Sequence, residues 1–535
     1  MHQTGWKRAS LACLAGSLSV LSMAPFFFWP ILFVSLPVLV WLLDTVRTPS
    51  WRHAFWDGWW FGFGYLFFGL VWIGEAFLVE AELFAWLLPF AVTLLPAGLA
   101  IFYGLATALA RRFWRRGLSR LLVLATAITG FEWLRGNLFT GLPWNTLGYA
   151  LTQPLELMQT ASVFGIYGLT LWTVVIAASP FVLAVDALEQ RRSGIGVWAG
   201  LVIASVALMA GFVFGWLQTN KRPVDMMADV KVRLVQPNIA QSDKWRPDKR
   251  REIFDTLLAL SKTAPDGRDD GLAEISHVIW PEAAIPFLIL RTPQALVEIG
   301  ELLPKKTTLL TGALRFVEQQ RPGANGRKGG SAKGAQPDAF NSLMAFDSEG
   351  RLVALTDKTH LVPFGEYLPF PDFLNAIGLR KLTQLRGAFV AGVLPRQLLP
   401  VPGLGAVAPL ICYEALFPNE IVQDGKRPAA LLNVTNDAWF GDTTGPRQHF
   451  HQVRIRAVEQ GVAFIRVANG GISAVVGPQG RILARLDLNR RGTVDSTIPM
   501  ALPKTVYVIF GDWIAVVLAA IFLAGGFMLG RRDNV

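Results

Sequence analysis

The sequence predicts a polytopic α-helical membrane domain of about eight transmembrane helices, with one α/β domain inserted before the last helix and lying outside the cytoplasm. Three observations predict it. Hydrophobic residues make up 52% of the 535-residue chain and charged residues 17%, and mean hydropathy is +0.39. Soluble domains carry more charge than this. The apolar excess is confined to residues 9–218 and 506–530, leaving ordinary soluble composition over 228–505. Basic residues gather in alternate short loops.

A helix needs about 20 mostly apolar residues to cross a bilayer. Segments of that kind lie near 9–23, 25–43, 54–78, 82–110, 119–136, 162–186, 195–218 and 506–529. Pro25 and Pro30 crowd the turn between the first two. A cleaved N-terminal signal would need an A-x-A site and an apolar pattern that stops, and neither is found. Lys7 and Arg8, Arg47 and Arg52, Arg111, Arg112, Arg115, Arg116 and Arg120, Arg191 and Arg192, and Arg531 and Arg532 all fall on one side of this arrangement. The opposite short loops hold only Arg135, with Glu75, Glu80 and Glu82. Cationic loops stay cytoplasmic, so both termini are expected there and the inserted domain on the far side. Three regions are expected: a seven-helix membrane domain over 1–220, the inserted domain over 228–505, and a last helix with its tail over 506–535.

The net charge of +11 is explained by those loops and gives no support to a nucleic-acid role. Arg321, Arg327, Lys328, Arg490 and Arg491 lie in Gly-rich or polar stretches that read as solvated loops. The fifth segment ends Phe131-Glu132-Trp133-Leu134-Arg135 and is followed by Gly141-Leu142-Pro143-Trp144-Asn145. This reads as an interfacial ion pair in an aromatic belt, with a functional pair as the alternative. The two cysteines, Cys13 and Cys412, are too few and too far apart for a disulfide framework. Cys13 reads as a small buried hydrophobe, and almost no apolar run precedes it to make a lipoprotein cleavage site.

In the inserted domain, residues 230–236 alternate as a strand does. Further strand-like runs are 276–280, 307–315, 341–347, 351–355, 406–412, 429–434, 462–468, 471–477 and 481–486, and helix-like runs are 247–263, 293–303, 414–424 and 447–460. Interspersed strands and helices argue for a layered α/β domain. Residues 321–338, rich in Gly, Ala, Lys and Arg, read as a surface loop. Three segments place reactive groups at strand ends. Val278-Ile279-Trp280-Pro281-Glu282 halts at a proline and presents a carboxylate. Thr356-Asp357-Lys358 sets a lysine just past a strand, before the turn at Pro363 and Gly365. Pro409-Leu410-Ile411-Cys412 delivers a cysteine where a helix over 414–424 would begin, whose dipole would favour a thiolate. Each residue alone has a blander reading as surface charge or a buried thiol. An unpaired cysteine in a compartment where thiols are usually oxidised adds to the functional reading.

The ordered Glu282, Lys358 and Cys412 resemble the catalytic set of the nitrilase, or carbon–nitrogen hydrolase, superfamily. Within it the chain resembles the apolipoprotein N-acyltransferase family. The match is carried by Trp280-Pro281-Glu282, the Asp357–Tyr367 run, Ile411-Cys412-Tyr413-Glu414, Asn436-Asp437-Ala438-Trp439-Phe440-Gly441, Gln448-His449-Phe450, and Gln236-Pro237-Asn238 with Lys244-Trp245. The membrane plan resembles that family's as well. The resemblance implies an α/β/β/α sandwich and a two-step acyl transfer. Cys412 would attack a phospholipid ester to give a thioester, with Glu282 as general base and Lys358 steadying the oxyanion. The N-terminal amine of a diacylglyceryl-cysteine apolipoprotein would then take the acyl chain. The partners implied are these two substrates and the membrane lipids of a bacterial inner membrane, around a monomer with no cofactor and no metal. Glu366 and Glu414 are expected to orient Lys358 and Cys412, with Asn341 beside them at the start of a strand. Tyr413 and Trp245 are expected to shape an acyl pocket. Trp439 reads either as a lip over the site or as a core aromatic. His360 and His449 read as structural. The apolar stretch Phe370–Leu379 reads as an arm dipping into the bilayer surface. Two other readings use parts of the same pattern: a membrane-tethered amidase, for which one span would suffice, and a transporter with an appended binding domain, which would carry more charge inside its spans.

Overall fold

The structure, a computed structural model, describes residues 5–45, 50–189, 195–220, 223–265, 267, 271–318, 337–369, 389–422 and 425–532. The expected surface loop at 321–338 falls outside these residues except for its last two positions, and the expected arm at 370–379 lies wholly outside them.

Each predicted apolar segment lies on a helix. Among the described residues, four helices are long and apolar enough to cross a bilayer: Trp51–Leu78, Ala81–Arg112, Ala161–Leu188 and Trp198–Asn220. Trp29–Asp44 and Trp513–Leu529 are shorter apolar helices. Trp6–Ser19 and Leu118–Asn137 occupy the two remaining positions. Large apolar side chains such as Trp56, Phe90, Leu94, Val206 and Met209 stay exposed on these helices, as suits surfaces that meet hydrocarbon rather than water. Cys13 is only partly buried. Glu132 and Arg135 do form an ion pair (3.9 Å), but a buried one rather than an interfacial one. Both are buried because the chain after the helix folds back over them. Glu132 accepts hydrogen bonds from Tyr103 Oη (2.6 Å) and Thr170 Oγ1 (2.8 Å) and from the Leu147 N–H (3.1 Å). Arg135 donates to the Leu142 and Trp144 carbonyls.

Among the described residues the inserted domain has twelve strands: β1 (Met226–Gln236), β2 (His277–Ile279), β3 (Thr308–Val317), β4 (Asp338–Phe346), β5 (Leu352–Asp357), β6 (Leu399–Val401), β7 (Gly405–Ile411), β8 (Ala430–Asn436), β9 (Ala463–Asn469), β10 (Ser473–Val476), β11 (Ile482–Leu486) and β12 (Gly492–Pro499). They form two six-stranded sheets, ordered β12-β1-β2-β3-β4-β5 and β11-β10-β9-β8-β7-β6. The central pairs β1–β2–β3 and β7–β8–β9 are parallel, and β8 and β9 are buried along their whole length, as parallel strands covered on both faces must be. One apolar cluster draws Val232, Leu234, Ile279 and Leu310 from the first sheet and Ile411, Leu432, Val434 and Ile465 from the second. A second joins the first sheet to helices Arg250–Lys262 and Pro293–Leu302.

Strands β6 and β12 were not legible. β6 has three residues, and β12 is polar, its Asp495 held by Arg233 of β1 through two 2.8 Å hydrogen bonds. Among the described residues of 414–424 the expected helix is absent. Two short 3-10 turns, Cys412–Leu416 and Pro418–Glu420, take its place. Pro418 disfavours helical backbone at Phe417, which is extended (φ −89°, ψ 103°).

A third apolar cluster runs from the membrane helices into the second sheet without a break. Helix Thr444–Gln460 lies within it, and fourteen of its residues are buried. Its polar side chains are taken up across the junction. Gln448 Oε1 accepts from the Trp144 indole (2.8 Å), the Trp72 indole (3.1 Å) and Asn145 Nδ2 (3.3 Å). Gln452 Nε2 donates to Asn145 Oδ1 (3.0 Å), His451 Nε2 pairs with Thr152 Oγ1 (2.7 Å), and Glu459 accepts from the Ile166 N–H (3.0 Å).

Gln448→Met removes an acceptor shared by three buried donors: Trp72 Nε1 and Asn145 Nδ2 still reach the Gly69 carbonyl (3.0 and 3.3 Å), but the Trp144 indole loses its acceptor, at about 1–3 kcal/mol if it stays dry. The variant is expected to unfold at a lower temperature in detergent, by about 2–4 °C per kcal/mol. Gln448→Glu keeps the acceptor and should lose much less. Thermal unfolding of the three purified proteins checks this.

Candidate active site

The three predicted strand-end groups converge. β2 ends at Ile279, and the chain then crosses β3 at Gly312, where a Cβ would sit 2.6 Å from the Glu282 Cα and the Ala283 nitrogen. Only glycine admits that crossing. The Gly312 N–H donates to the Pro281 carbonyl (3.1 Å) and the Ala284 N–H donates back to the Gly312 carbonyl (2.9 Å), which fixes the turn that presents Glu282. Lys358 follows β5 directly, and its N–H donates to the Asn341 carbonyl of β4 (2.8 Å). Cys412 follows β7 with a left-handed backbone, φ 54°, a conformation that costs a non-glycine residue about 1–3 kcal/mol.

Lys358 is 1% exposed. Its Nζ lies 2.8 Å from Glu366 Oε1 and 3.7 Å from Glu282 Oε1. Burial opposes its charge, but Glu366 and Glu282 outweigh burial and raise its pKa, so it is a fixed cation. Burial raises the Glu282 carboxyl above the usual carboxylate range, against the pull of Lys358, and so makes it a stronger base than a surface glutamate. Asn341 Nδ2 donates to Glu282 Oε1 (2.7 Å) and, more weakly, to Glu366 Oε1 (3.4 Å). Glu366 is anchored at its other oxygen by the Val362 N–H (2.8 Å).

Cys412 is partly exposed, yet burial of its sulfur, reinforced by Glu282, pushes the thiol up to about 12. The expected helix dipole at this cysteine is therefore corrected on two counts. The element that follows is a five-residue 3-10 turn, too short for an aligned macrodipole, and the thiol is raised rather than lowered. A thiol of this kind gives up its proton only to a nearby base as it attacks, the general-base route.

Glu414 ties the cysteine strand to the lysine segment. Its Oε2 accepts from the Ile411 N–H (2.7 Å), while its Oε1 accepts from the Thr359 N–H (2.7 Å), Thr359 Oγ1 (2.9 Å), the His360 N–H (3.0 Å) and Arg396 Nη2 (2.7 Å). Burial works against its charge, but Arg396 and the backbone donors hold it below the usual carboxylate range. Tyr413 Oη donates to the Gly141 carbonyl (2.9 Å), which joins the site to the loop after helix Leu118–Asn137. Gly141 sits at φ 71°, and a Cβ there would meet the Gly136 carbonyl oxygen at 2.2 Å. Trp245, 41% exposed, lies in a turn beyond β1, its ring 5.9 Å from Lys244 Nζ. Trp439 is half-buried in the turn Asp437–Phe440 after β8, and the adjacent Phe440 packs on Trp72 at 4.7 Å.

His360 stacks on Phe417 at 3.9 Å and faces Glu420. His449 faces Asp437, whose other oxygen takes Arg466 at 2.6 Å. Among the described residues no group of side chains is arranged to hold a metal ion. Sequence reasoning missed three contributors: Lys244, Gly312 and Arg396. The glycine could have been suspected from its place inside an apolar strand. The other two gave no sign of being buried.

Removing the charge at Glu414 leaves the Arg396 guanidinium buried without it. Glu414→Gln is expected to cost about 3–5 kcal/mol. The wild-type carboxyl is held below its unfolded value, so its contribution is complete above the ordinary glutamate range and is lost as pH falls through the lowered folded value. Denaturant unfolding from pH 7 down to pH 3 should show the gap between the two proteins closing in acid.

The comparisons with known proteins agree with this architecture. Residues 15–179 match the apolipoprotein N-acyltransferase N-terminal domain and residues 231–506 match the carbon–nitrogen hydrolase domain. The chain is 45% identical to an apolipoprotein N-acyltransferase of Rhodopseudomonas palustris over 97% of its length and 94% of the relative's. It is 45% identical to that of Bradyrhizobium diazoefficiens at the same two coverages. An amidase from Nesterenkonia sp. covers 54% of the chain and 95% of its own, at 17% identity and a TM-score of 0.34, too low to carry weight. With both domains matched in order and close relatives along nearly its whole length, the chain belongs to the apolipoprotein N-acyltransferase family.

Proposed function

We propose that this protein moves a fatty acyl chain from a membrane phospholipid to the N-terminal amine of a diacylglyceryl-cysteine lipoprotein, through a thioester on Cys412. One observation carries the reading. A thiol, a carboxyl of raised proton affinity and a fixed ammonium meet at strand ends, and the residue beside the thiol is bonded to the loop that ends an apolar helix. A site so placed suits an acyl donor held in lipid.

In the first step Glu282 takes the Cys412 proton as sulfur attacks the ester carbonyl carbon. The negative charge on the carbonyl oxygen falls to Lys358. The C–O bond breaks, and Glu282 returns the proton to the leaving alcohol of the lysophospholipid. In the second step the lipoprotein amine attacks the thioester. The C–S bond breaks, the amine proton passes by way of Glu282 to the sulfur, and the amide leaves. An amide is more stable than a thioester, which drives the transfer forward.

In this reading Glu366 and Asn341 hold Lys358 and Glu282 in place, and Glu414 fixes the spacing of Cys412 from Lys358. Tyr413 and Trp245 border the acyl chain, and Trp439 lies beside the junction with the membrane helices. The sheets and their helices form an α/β/β/α sandwich. The chain crosses a bacterial inner membrane eight times, seven within residues 1–220 and once within 506–535. Its basic loops and both termini are cytoplasmic, and residues 228–505 are periplasmic. It works as a monomer and has no nucleic-acid partner.

Incubating the purified protein with a diacyl phospholipid and no amine should add the mass of one fatty acyl group. Hydroxylamine should remove it, and Cys412→Ala should never acquire it. Glu282→Gln should slow adduct formation by at least about a hundredfold. A folded, lipid-bound protein that gains no mass would count against a phospholipid donor and favour a soluble amide or ester.

A further inference from the structure

A second lysine lies inside the site. Lys244 stands at the end of the turn after β1 and is 3% exposed. Its Nζ donates to the backbone carbonyl of Glu282 (3.1 Å). That bond uses one of three N–H donors, and among the described residues no carboxylate lies within ion-pair distance of it. The charged groups that face it are Glu282 and Cys412, with Lys358 and Glu366 beyond Glu282. On its own turn, Asp243 and Arg246 pair with each other at 3.6 Å, both about half exposed.

We propose that Lys244 is the charge-balancing cation of this site, a positioning residue that keeps the Cys412 thiol within reach of ionisation. The inference rests on Cys412 being the nucleophile. Charge decides the matter. Lys358 is shared between two carboxylates, Glu366 and Glu282, so those three groups carry one net negative charge. Adding a thiolate or an oxyanion to a negative pocket of low dielectric is costly. Lys244 brings the sum to zero. When the thiol proton moves to Glu282, the negative charge moves from carboxylate to sulfur. Lys244 attracts both groups, so the shift takes place inside one cationic field. Burial lowers the Lys244 ammonium to about 8, against the opposing pull of Glu282 and Cys412. Its charge is thus present at neutral pH and lost in mild alkali.

The test is the rate of Cys412 alkylation by iodoacetamide in the detergent-solubilised full chain from pH 6 to 10, in a Cys13→Ala background, with thermal unfolding as the folding control. The readout uses no lipid, so it stands or falls apart from the acyl-donor reading. Lys244→Met is expected to slow alkylation about tenfold between pH 6 and 8, one pKa unit on the thiol. Lys244→Arg should stay near the wild-type rate there. The wild-type rate should climb less steeply above about pH 8, and that break should vanish in Lys244→Arg, whose cation does not titrate. A folded Lys244→Met with the wild-type profile overturns the proposal. If Lys244→Met does not fold, a break that persists in Lys244→Arg overturns it instead.

Discussion

Helix Thr444–Gln460 is the constraint on which the rest depends. It is largely buried between the second sheet and the membrane helices, so each buried polar side chain it carries needs a partner there, and most of the partners come from the membrane side. One carbonyl oxygen, Gln448 Oε1, gathers two indoles and an amide from the apolar half of the chain. These bonds set the orientation of the soluble domain on the bilayer-facing part, since hydrogen bonds are directional where apolar contact is not. They also place Trp144 against His449, 5.6 Å between ring centres, and His449 reaches through Asp437 and Arg466 to the floor of the second sheet.

The site is built on the edge of that docked body. Its three reactive groups come from strands in both sheets, and each is held by a neighbour with a bond to spare. Gly312 lets Glu282 cross a strand, Glu366 and Asn341 tie the carboxyl to the ammonium, and Glu414 fixes the cysteine strand to the lysine segment. Such supports matter more than the groups themselves in setting reactive geometry, because a displacement of about 1 Å can cost a hundredfold in rate. The strained backbone at Cys412 is tolerated because Glu414 and Tyr413 fix the residues on its C-terminal side.

The electrostatics follow from the same burial. Two carboxyls, a thiol and two ammonium groups lie close together and largely buried, so the proton affinities of Glu282, Cys412, Lys358 and Lys244 are set in part by their neighbours. The thiol is high, not low, and the base beside it is high too. A thiol so raised stays protonated near neutral pH and does not stand free as a thiolate.

The sequence by itself determined the division into apolar helices and an α/β domain and ten of the twelve strands among the described residues, and it singled out the three strand-end residues that the structure brings together. These depend on local signals: runs of apolar residues, period-two alternation, and a Pro, Lys or Cys where a strand stops. It could not determine the turn after Cys412, where Ala415-Leu416 suggests helix but Pro418 and the Glu414 bonds forbid one. Nor could it reveal that the helix Thr444–Gln460, with its glutamines, histidines and arginines, is buried. By composition it is a surface helix, and only the approach of Trp72, Asn145, Thr152 and Ile166 supplies the partners that allow it inside. Lys244 and Glu132 were hidden for the same reason. A charged residue is buried only when distant parts of the chain close around it, and that closure is a property of the tertiary structure alone.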